Sequence, residues 1–396
     1  MAVTDSRAAS GTTWAIIFAV SLCHMLNDVM QSLLAAIYPL LRAEFSLDYW
    51  QIGLLTFAFQ VTASLLQPVV GTVTDRHPFP MSLPLGMSST MCGLVLLATA
   101  PSYALLFAGA MLIGVGSSVF HPEASRVARL ASGGRYGTAQ SFFQVGGNFG
   151  TAMGPLLAAF IVVPLGRPAI AWFSLAAFTG IVILWQVGSW YGRWRKANAG
   201  RPAASRDLPL PRQHIMLALA VLVALTFSKN VYMASLSSYY TFFLIEKFHL
   251  TTQQSQLMLF LFLAATAAGV ALGGPIGDRI GARSVIWISI LGVLPFTLVL
   301  PYASLFWTGV LTVAIGLILS SAFPAIVVFA QELVPGRVGT VTGIFFGFAF
   351  GMGGIAAAVL GVVADAKGIE FVYRLCAFLP AIGLLTVFLP RHADLR

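Results

Sequence analysis

The chain has 396 residues, of which 58% are hydrophobic and only 9% charged, and its mean hydropathy is +0.88. A soluble domain of this size cannot hide so much apolar surface, which excludes an ordinary water-soluble fold and makes the bilayer the solvent. The net charge of +9 would suit nucleic acid, but the basic residues are spread by side of the membrane rather than gathered in a patch.

Apolar runs recur from about Trp14 to Pro390 and are continuous rather than alternating with period two, so helices are the spanning elements. In chain order, spans are predicted near 13–40, 50–74, 80–99, 102–129, 137–162 and 169–190, then 213–245, 253–277, 283–301, 304–331, 338–364 and 369–390. The stretch Met1 to Thr13 has no basic region leading into a cleavable signal, so the first span is expected to be retained. The long polar interruption from about Tyr191 to Gln213 carries Arg193-Trp194-Arg195-Lys196 and a Pro-rich segment that includes Arg201, Arg206 and Arg212. It reads as a linker, which divides the chain into 1–190, 191–212 and 213–396. The fold expected is an all-α membrane protein, with twelve transmembrane helices in two pseudo-symmetric six-helix bundles.

With the amino terminus inside, sixteen of the 22 Lys and Arg, from Arg7 to Arg396, fall on the cytoplasmic side. Only Arg42, Arg167, Lys247 and Lys367 fall opposite, and Lys229 and Arg374 lie within spans. This asymmetry puts both termini in the cytoplasm. Cys23, Cys92 and Cys376 are far apart and all inside spans, without metal-ligand spacing or a disulfide framework.

The halves repeat each other. Gly71-Thr72-Val73-Thr74-Asp75-Arg76 recurs 203 residues later as Gly274-Pro275-Ile276-Gly277-Asp278-Arg279. Asn27 matches Asn230 and Phe45 matches Phe248 at the same offset, and Arg135-Tyr136-Gly137-Thr138 matches Arg337-Val338-Gly339-Thr340 at 202. Ser117-Ser118-Val119-Phe120 resembles Ser320-Ser321-Ala322-Phe323. A membrane chain of two like halves is expected to be a transporter with its pathway between them.

The Gly-x-x-x-Asp-Arg element after the second and eighth spans resembles the loop motif of the major facilitator superfamily. The first copy departs from that pattern, since His77-Pro78-Phe79-Pro80 replaces its basic tail, which weakens the expectation for its share of the gate. The resemblance implies that Asp75, Arg76, Asp278 and Arg279 are gating residues. In it, each Asp caps a neighbouring helix and latches the cytoplasmic side in the outward-open state.

Ionisable groups inside a span are costly unless they face a cavity or a partner, so each is a functional candidate. His24 and Asp28, four apart in the first span, share a helix face, with Asn27 beside them. The fourth span holds Phe120-His121-Pro122-Glu123-Ala124-Ser125-Arg126, in which Pro122 can bend the helix and Glu123 and Arg126 can pair. Histidine is the side chain suited to proton exchange near neutral pH, and desolvation brings a glutamate toward that range, which makes His121 and Glu123 candidates. Glu123 is the first choice for proton coupling, with Asp28, His24 and His121 behind it; snorkelling to headgroups is the bland alternative for Arg126. Gln144 and Asn148 share a face of the fifth span, beside the glycine ladder Gly146, Gly150 and Gly154. Lys229 is either a counter-charge for Asp28 or Glu123 or a contact for an anionic substrate, and Asn230 adjoins it. Tyr232, Tyr239 and Tyr240 suit packing better than a cavity lining, and Glu332 and Arg337 suit a cytoplasmic gate network.

The strings His24-Met25-Leu26-Asn27-Asp28 and Phe120 to Arg126 narrow the resemblance to the fosmidomycin resistance protein family of bacterial inner-membrane exporters. Gly150-Thr151-Ala152-Met153-Gly154-Pro155 partly resembles the fifth-helix motif of drug–proton antiporters. Together they imply proton-driven efflux of fosmidomycin, a small phosphonate with a hydroxamate, through His24, Asn27, Asp28, His121, Glu123 and Arg126. Arg126, Lys229 and His121 are the cations open to a phosphonate. The expected partners are a small-molecule drug, protons and membrane lipids, without nucleic acid, in a functional monomer driven by the proton gradient and needing no cofactor. Uptake or exchange of a small anionic or phosphorylated metabolite is the alternative on the same fold. An enzyme would need a catalytic cluster at a membrane face, and His121 and Glu123, the nearest approach, lie too deep.

Overall fold

The computed structural model describes residues 12–47, 49–198, 208–250 and 252–391, nearly all helical. Arg7, Arg201, Arg206 and Arg396 lie outside the described residues, as does most of the Met1–Thr13 stretch. Among the described residues, eleven helical segments are long and apolar enough to cross a membrane. In chain order the first half holds α1 (Trp14–Ala36), α2 (Tyr49–Arg76), α3 (Ser82–Thr99), α4 (Tyr103–Ala131), α5 (Tyr136–Leu157) and α6 (Phe173–Ala197). The second half holds α7 (Arg212–Phe248), α8 (Thr252–Ile280), α9 (Ala282–Tyr302), α10 (Leu305–Leu333), α11 (Val338–Lys367) and α12 (Ile369–Phe388).

The long helix that fails the apolar test is α5, because Gln140, Gln144, Asn148 and five glycines dilute its hydropathy. It nevertheless packs along the whole of α1, on the inside of the first bundle. Three spans differ from uniform helices: α9 is interrupted after Ile290, α10 after Ser320, and α12 ends as a 3₁₀ stretch from Leu379. By contrast α4 runs unbroken through Pro122.

Apolar side chains cover the outer faces, among them Phe160, Leu175, Phe260 and Phe306, as a lipid-facing surface requires. With lipid as apolar as the core, helix contact depends on close packing and hydrogen bonds, and the glycines supply both. Gly146, Gly150 and Gly154 on α5 lie against Ser21, Met25 and Ser32 of α1.

The halves meet along two seams, α2 with α11 and α5 with α8. On α11, Gly339, Gly343 and Gly347 lie against Gly71, Gln67 and Ser64 of α2, whereas methyls on Gly351, Gly353 and Gly354 would touch nothing within 4 Å. The two helices therefore meet at the end carrying Asp75 and diverge toward the other. Along this seam the halves are closed at one end and splayed at the other.

Candidate transport pathway and its gates

The closed end is built from two copies of one joint. Asp75, at the end of α2, accepts from the Gly339 amide at 3.0 Å, the Thr340 amide at 2.7 Å and the Thr340 hydroxyl at 2.6 Å, all at the start of α11. Asp278, at the end of α8, accepts from the Gly137 amide at 2.8 Å, the Thr138 amide at 2.8 Å and the Thr138 hydroxyl at 2.5 Å, at the start of α5. Each carboxylate satisfies orphan amides of the other half's helix and meets the positive end of its dipole. The backbones touch where side chains are absent: Gly71 lies on Gly339, and its repeat mate Gly274 lies on Gly137.

Among the described residues, only the first joint is braced by ion pairs. Arg126 pairs with Asp75 through Nη2–Oδ1 at 2.5 Å and with Glu123 through Nη1–Oε1 at 2.7 Å, and it donates to the Thr74 carbonyl at 2.9 Å. Ser82 of α3 donates to the other Glu123 oxygen at 3.1 Å. Arg126 and Glu123 are both buried. Between the joints a network of Arg129 and uncharged side chains crosses the interface. Arg129 donates to Gln331 at 3.0 Å, Gln331 donates to Thr342 at 2.8 Å and reaches Ser125 at 3.4 Å, and Ser125 donates to Gln140 at 2.8 Å. A cavity of about 980 Å³ at this end is lined by Arg129, Tyr136, Asp278, Gln331 and Glu332.

A separate cluster sits deeper in the first half. The Asp28 carboxylate lies between His24 Nε2 at 3.4 Å and His121 Nε2 at 3.6 Å. Its Oδ1 accepts from Gln31 at 2.9 Å and Asn27 at 3.1 Å. Gly147 of α5 makes room, since a methyl there would sit 2.5 Å from His24 Nε2 and 2.8 Å from Asp28 Oδ2. Among the described residues, His24, Asp28 and His121 form the one group whose donor atoms converge as metal ligands would, within 4.8 Å of one another.

Across the interface, Lys229 of α7 has Phe323 as its neighbour, its Nζ 5.0 Å from the ring centroid. Among the described residues no carboxylate lies within ion-pair distance of it. Phe323 packs edge-on against Phe346, and Phe346 in turn lies 5.3 Å from the His121 ring. Aromatic rings thus stand between Lys229 of the second half and the His121–Asp28 cluster of the first.

A sequence profile described as Major Facilitator Superfamily matches residues 20–245 and again 218–395. The fosmidomycin resistance protein of Escherichia coli (strain K12) is 60% identical over 98% of this chain and 96% of its own. An uncharacterized transporter of the superfamily in Bacillus subtilis (strain 168), YfnC, is 41% identical over 97% and 95%. The chain belongs to the Major Facilitator Superfamily, in the family of the fosmidomycin resistance protein. The fold agrees: the facilitator FucP, solved in an outward conformation, superposes with a TM-score of 0.76 at 16% identity over 95% of this chain and 98% of its own. The human organic anion transporter MFSD10 also superposes at 0.76, with 18% identity over 95% and 99%. This is a transporter family and not an enzyme family.

Within this facilitator the candidates separate into three places. Glu123 and Arg126 belong with Asp75 at the closed end, so Arg126 is engaged in a gate and does not stand beside Lys229. His24, Asn27, Asp28 and His121 form the inner cluster. Gln144 and Asn148 are half-buried on one face of α5, and neither amide has a hydrogen-bond partner among the described residues. The Asn230 amide nitrogen is buried and unsatisfied beside Lys229. Arg76 and Arg279 are exposed and make no ion pair among the described residues, whereas the aspartates preceding them form the two joints.

Several expectations need revising. The first loop motif, despite its altered tail, forms the joint with the extra charge pairs. Lys229 is no counter-charge to Asp28 or Glu123. The tyrosines do match the packing preferred for them: Tyr232 and Tyr240 are buried in the core and Tyr239 donates to the Ala357 carbonyl. Arg374 pairs with Glu370 at 3.1 Å on the surface. Sequence reasoning missed Gln331, Ser125, Gln140, Gln31 and Ser117. Their only signal was polarity inside a span, which does not show what they meet.

Proposed function

We propose that the protein exports fosmidomycin or similar small polar antibiotics across the bacterial inner membrane in exchange for protons. Alternating access carries the cargo, with both termini cytoplasmic and the closed end facing the cytoplasm. The observation that carries this reading is Arg126, shared between Asp75 of the gate and the buried Glu123. A proton on Glu123 removes the charge-assisted bond that holds the guanidinium in place. The joint to α11 then loosens and the proton-loaded protein opens inward, where the proton leaves and drug enters. Asp28 with His24 and His121 is a second place on the path able to take up a proton. Lys229, with Asn230, Gln144 and Asn148, offers an anionic and polar ligand a cation and amides not spent on the protein itself. No cofactor and no second subunit enters the cycle.

The test is uptake of labelled fosmidomycin by inside-out vesicles with an acidified interior, wild type beside Glu123→Gln, each checked for insertion and folding. Gradient-driven accumulation by the wild type, abolished in the variant, is expected. A folded wild type that accumulates nothing would end the assignment. The second reading, uptake or exchange of a small anionic metabolite, draws support from the lone cation at Lys229. It predicts gradient-driven accumulation in right-side-out vesicles instead.

A further inference from the structure

Two imidazoles and one carboxylate converge on a single point in the first bundle, and their surroundings fix which atoms face inward. His24 Nδ1 lies 2.7 Å from the Phe143 carbonyl, and His121 Nδ1 lies 2.9 Å from the Ser117 carbonyl. A carbonyl oxygen only accepts, so each Nδ1 carries the ring hydrogen and each neutral ring presents its Nε2 lone pair. Both Nε2 atoms face Asp28, at 3.4 and 3.6 Å. Those distances exceed the roughly 2.7–3.2 Å of a good N–H···O bond. They come closer to the spacing of donors around one ion, the three donor groups lying within 4.8 Å of one another with His24 on Oδ2 and His121 on Oδ1. Ligands about 2.0–2.2 Å from a metal, at tetrahedral to octahedral angles, lie roughly 3.0–3.5 Å from each other. His24 Nε2 is also buried without a hydrogen-bond partner.

The geometry points to a divalent transition-metal site formed by His24 Nε2, Asp28 and His121 Nε2. Metal-ligating histidines characteristically give their other ring N–H to a backbone carbonyl, and both do so here. The carboxylate is likewise held in place: Gln31 and Asn27 donate to Oδ1, and Ser117 fixes Gln31 by donating to its Oε1 at 2.9 Å. Two imidazoles and a single carboxylate select ions of the zinc, nickel, cobalt or iron class, not calcium or magnesium, which want six or more oxygens. Three protein ligands leave coordination positions for water or a ligand oxygen. The Asp28 side chain keeps 11% of its exposure against 2% and 0% for the histidines, which makes its edge the route in. The site uses the residues read above as a second proton-binding place, and it needs no assumption about the cargo.

The test is titration of the metal-stripped, detergent-purified full chain with Co²⁺, followed by d–d absorption, and with Zn²⁺ by calorimetry. One ion per chain with a nitrogen- and oxygen-ligated Co²⁺ spectrum is expected. His24→Ala and His121→Ala should each weaken binding more than tenfold, and Gln31→Ala, behind the ligands, by about tenfold. A protein with His77, His214, His249 and His392 all changed to Gln should bind as the wild type does. No Co²⁺ spectrum from the wild type at millimolar metal overturns the site and leaves these positions to protons. Binding that survives both His24→Ala and His121→Ala, or that vanishes with the four other histidines, overturns it equally. The wild-type spectrum decides even if a ligand variant fails to fold.

Discussion

The two joints at the closed end share their backbone but not their charges. Asp75 and Asp278 occupy repeat positions, accept the same three hydrogen bonds from a Gly-Thr pair, and sit where glycines let the helices touch. The repeat mates of Glu123 and Arg126, at offset 203, are Ile326 and Phe329, both buried and apolar. The Asp75 side chain is 8% exposed beside Arg126, whereas Asp278 is exposed. A charge-assisted bond shielded from water is worth more than the same bond in contact with it. Duplication therefore supplies a symmetric joint, and the extra charge pairs lie in one copy, which is the copy that the proposed proton would address.

The comparison breaks first at Arg126. Arg126→Met strands two buried carboxylates and should destabilise the protein by about 3–5 kcal/mol, while Phe329→Leu at the mate position should cost about 1 kcal/mol. Thermal unfolding in detergent reads both. Next is Gly339→Ala, whose methyl would strike the Arg126 guanidinium, with an expected loss of about 2–3 kcal/mol. On the same helix Gly351→Ala meets nothing within 4 Å and should be neutral or stabilising by up to about 1 kcal/mol. The sign difference checks that α11 leaves α2 between these points. Asp75→Asn should weaken the closed end by about 2 kcal/mol and Asp278→Asn by less than about 1 kcal/mol, read as alkylation of cysteines placed behind each joint. Smallest is Glu123→Gln, about 1 kcal/mol on the closed state, with gradient coupling lost in the vesicle assay.

Much of this architecture is legible in the sequence because the duplication leaves its offset on the residues that touch. Asp75 and Asp278, and Gly137-Thr138 and Gly339-Thr340, align at 203 and 202, and those four segments make the two joints. The helix pattern was equally open to reading, even for α5, whose glycines and amides lower its hydropathy while marking its inward face. What the sequence withheld was partnership between helices. Arg126 reads as a substrate cation or a snorkelling side chain until α2 is laid beside α4, when Asp75 takes it. Glu123 and His121, two residues apart, point into different clusters because such positions lie about 200° apart around a helix. Gln331 and Gln140 belong to a network spread over four helices, and no spacing along the chain encodes that.

The most direct test of the braced gate is a pair of spin-label distances across the closed end, in a Cys92→Ser background since that cysteine is exposed. One pair, at His77 and Arg337, reports α2 against α11; the other, at Arg135 and Arg279, reports α5 against α8. Asp75→Asn should populate the separated state several-fold more than Asp278→Asn, since each kcal/mol shifts the ratio of states about fivefold. Equal populations in the two variants, or the larger shift with Asp278→Asn, would contradict the assignment of control to the Asp75–Arg126–Glu123 joint.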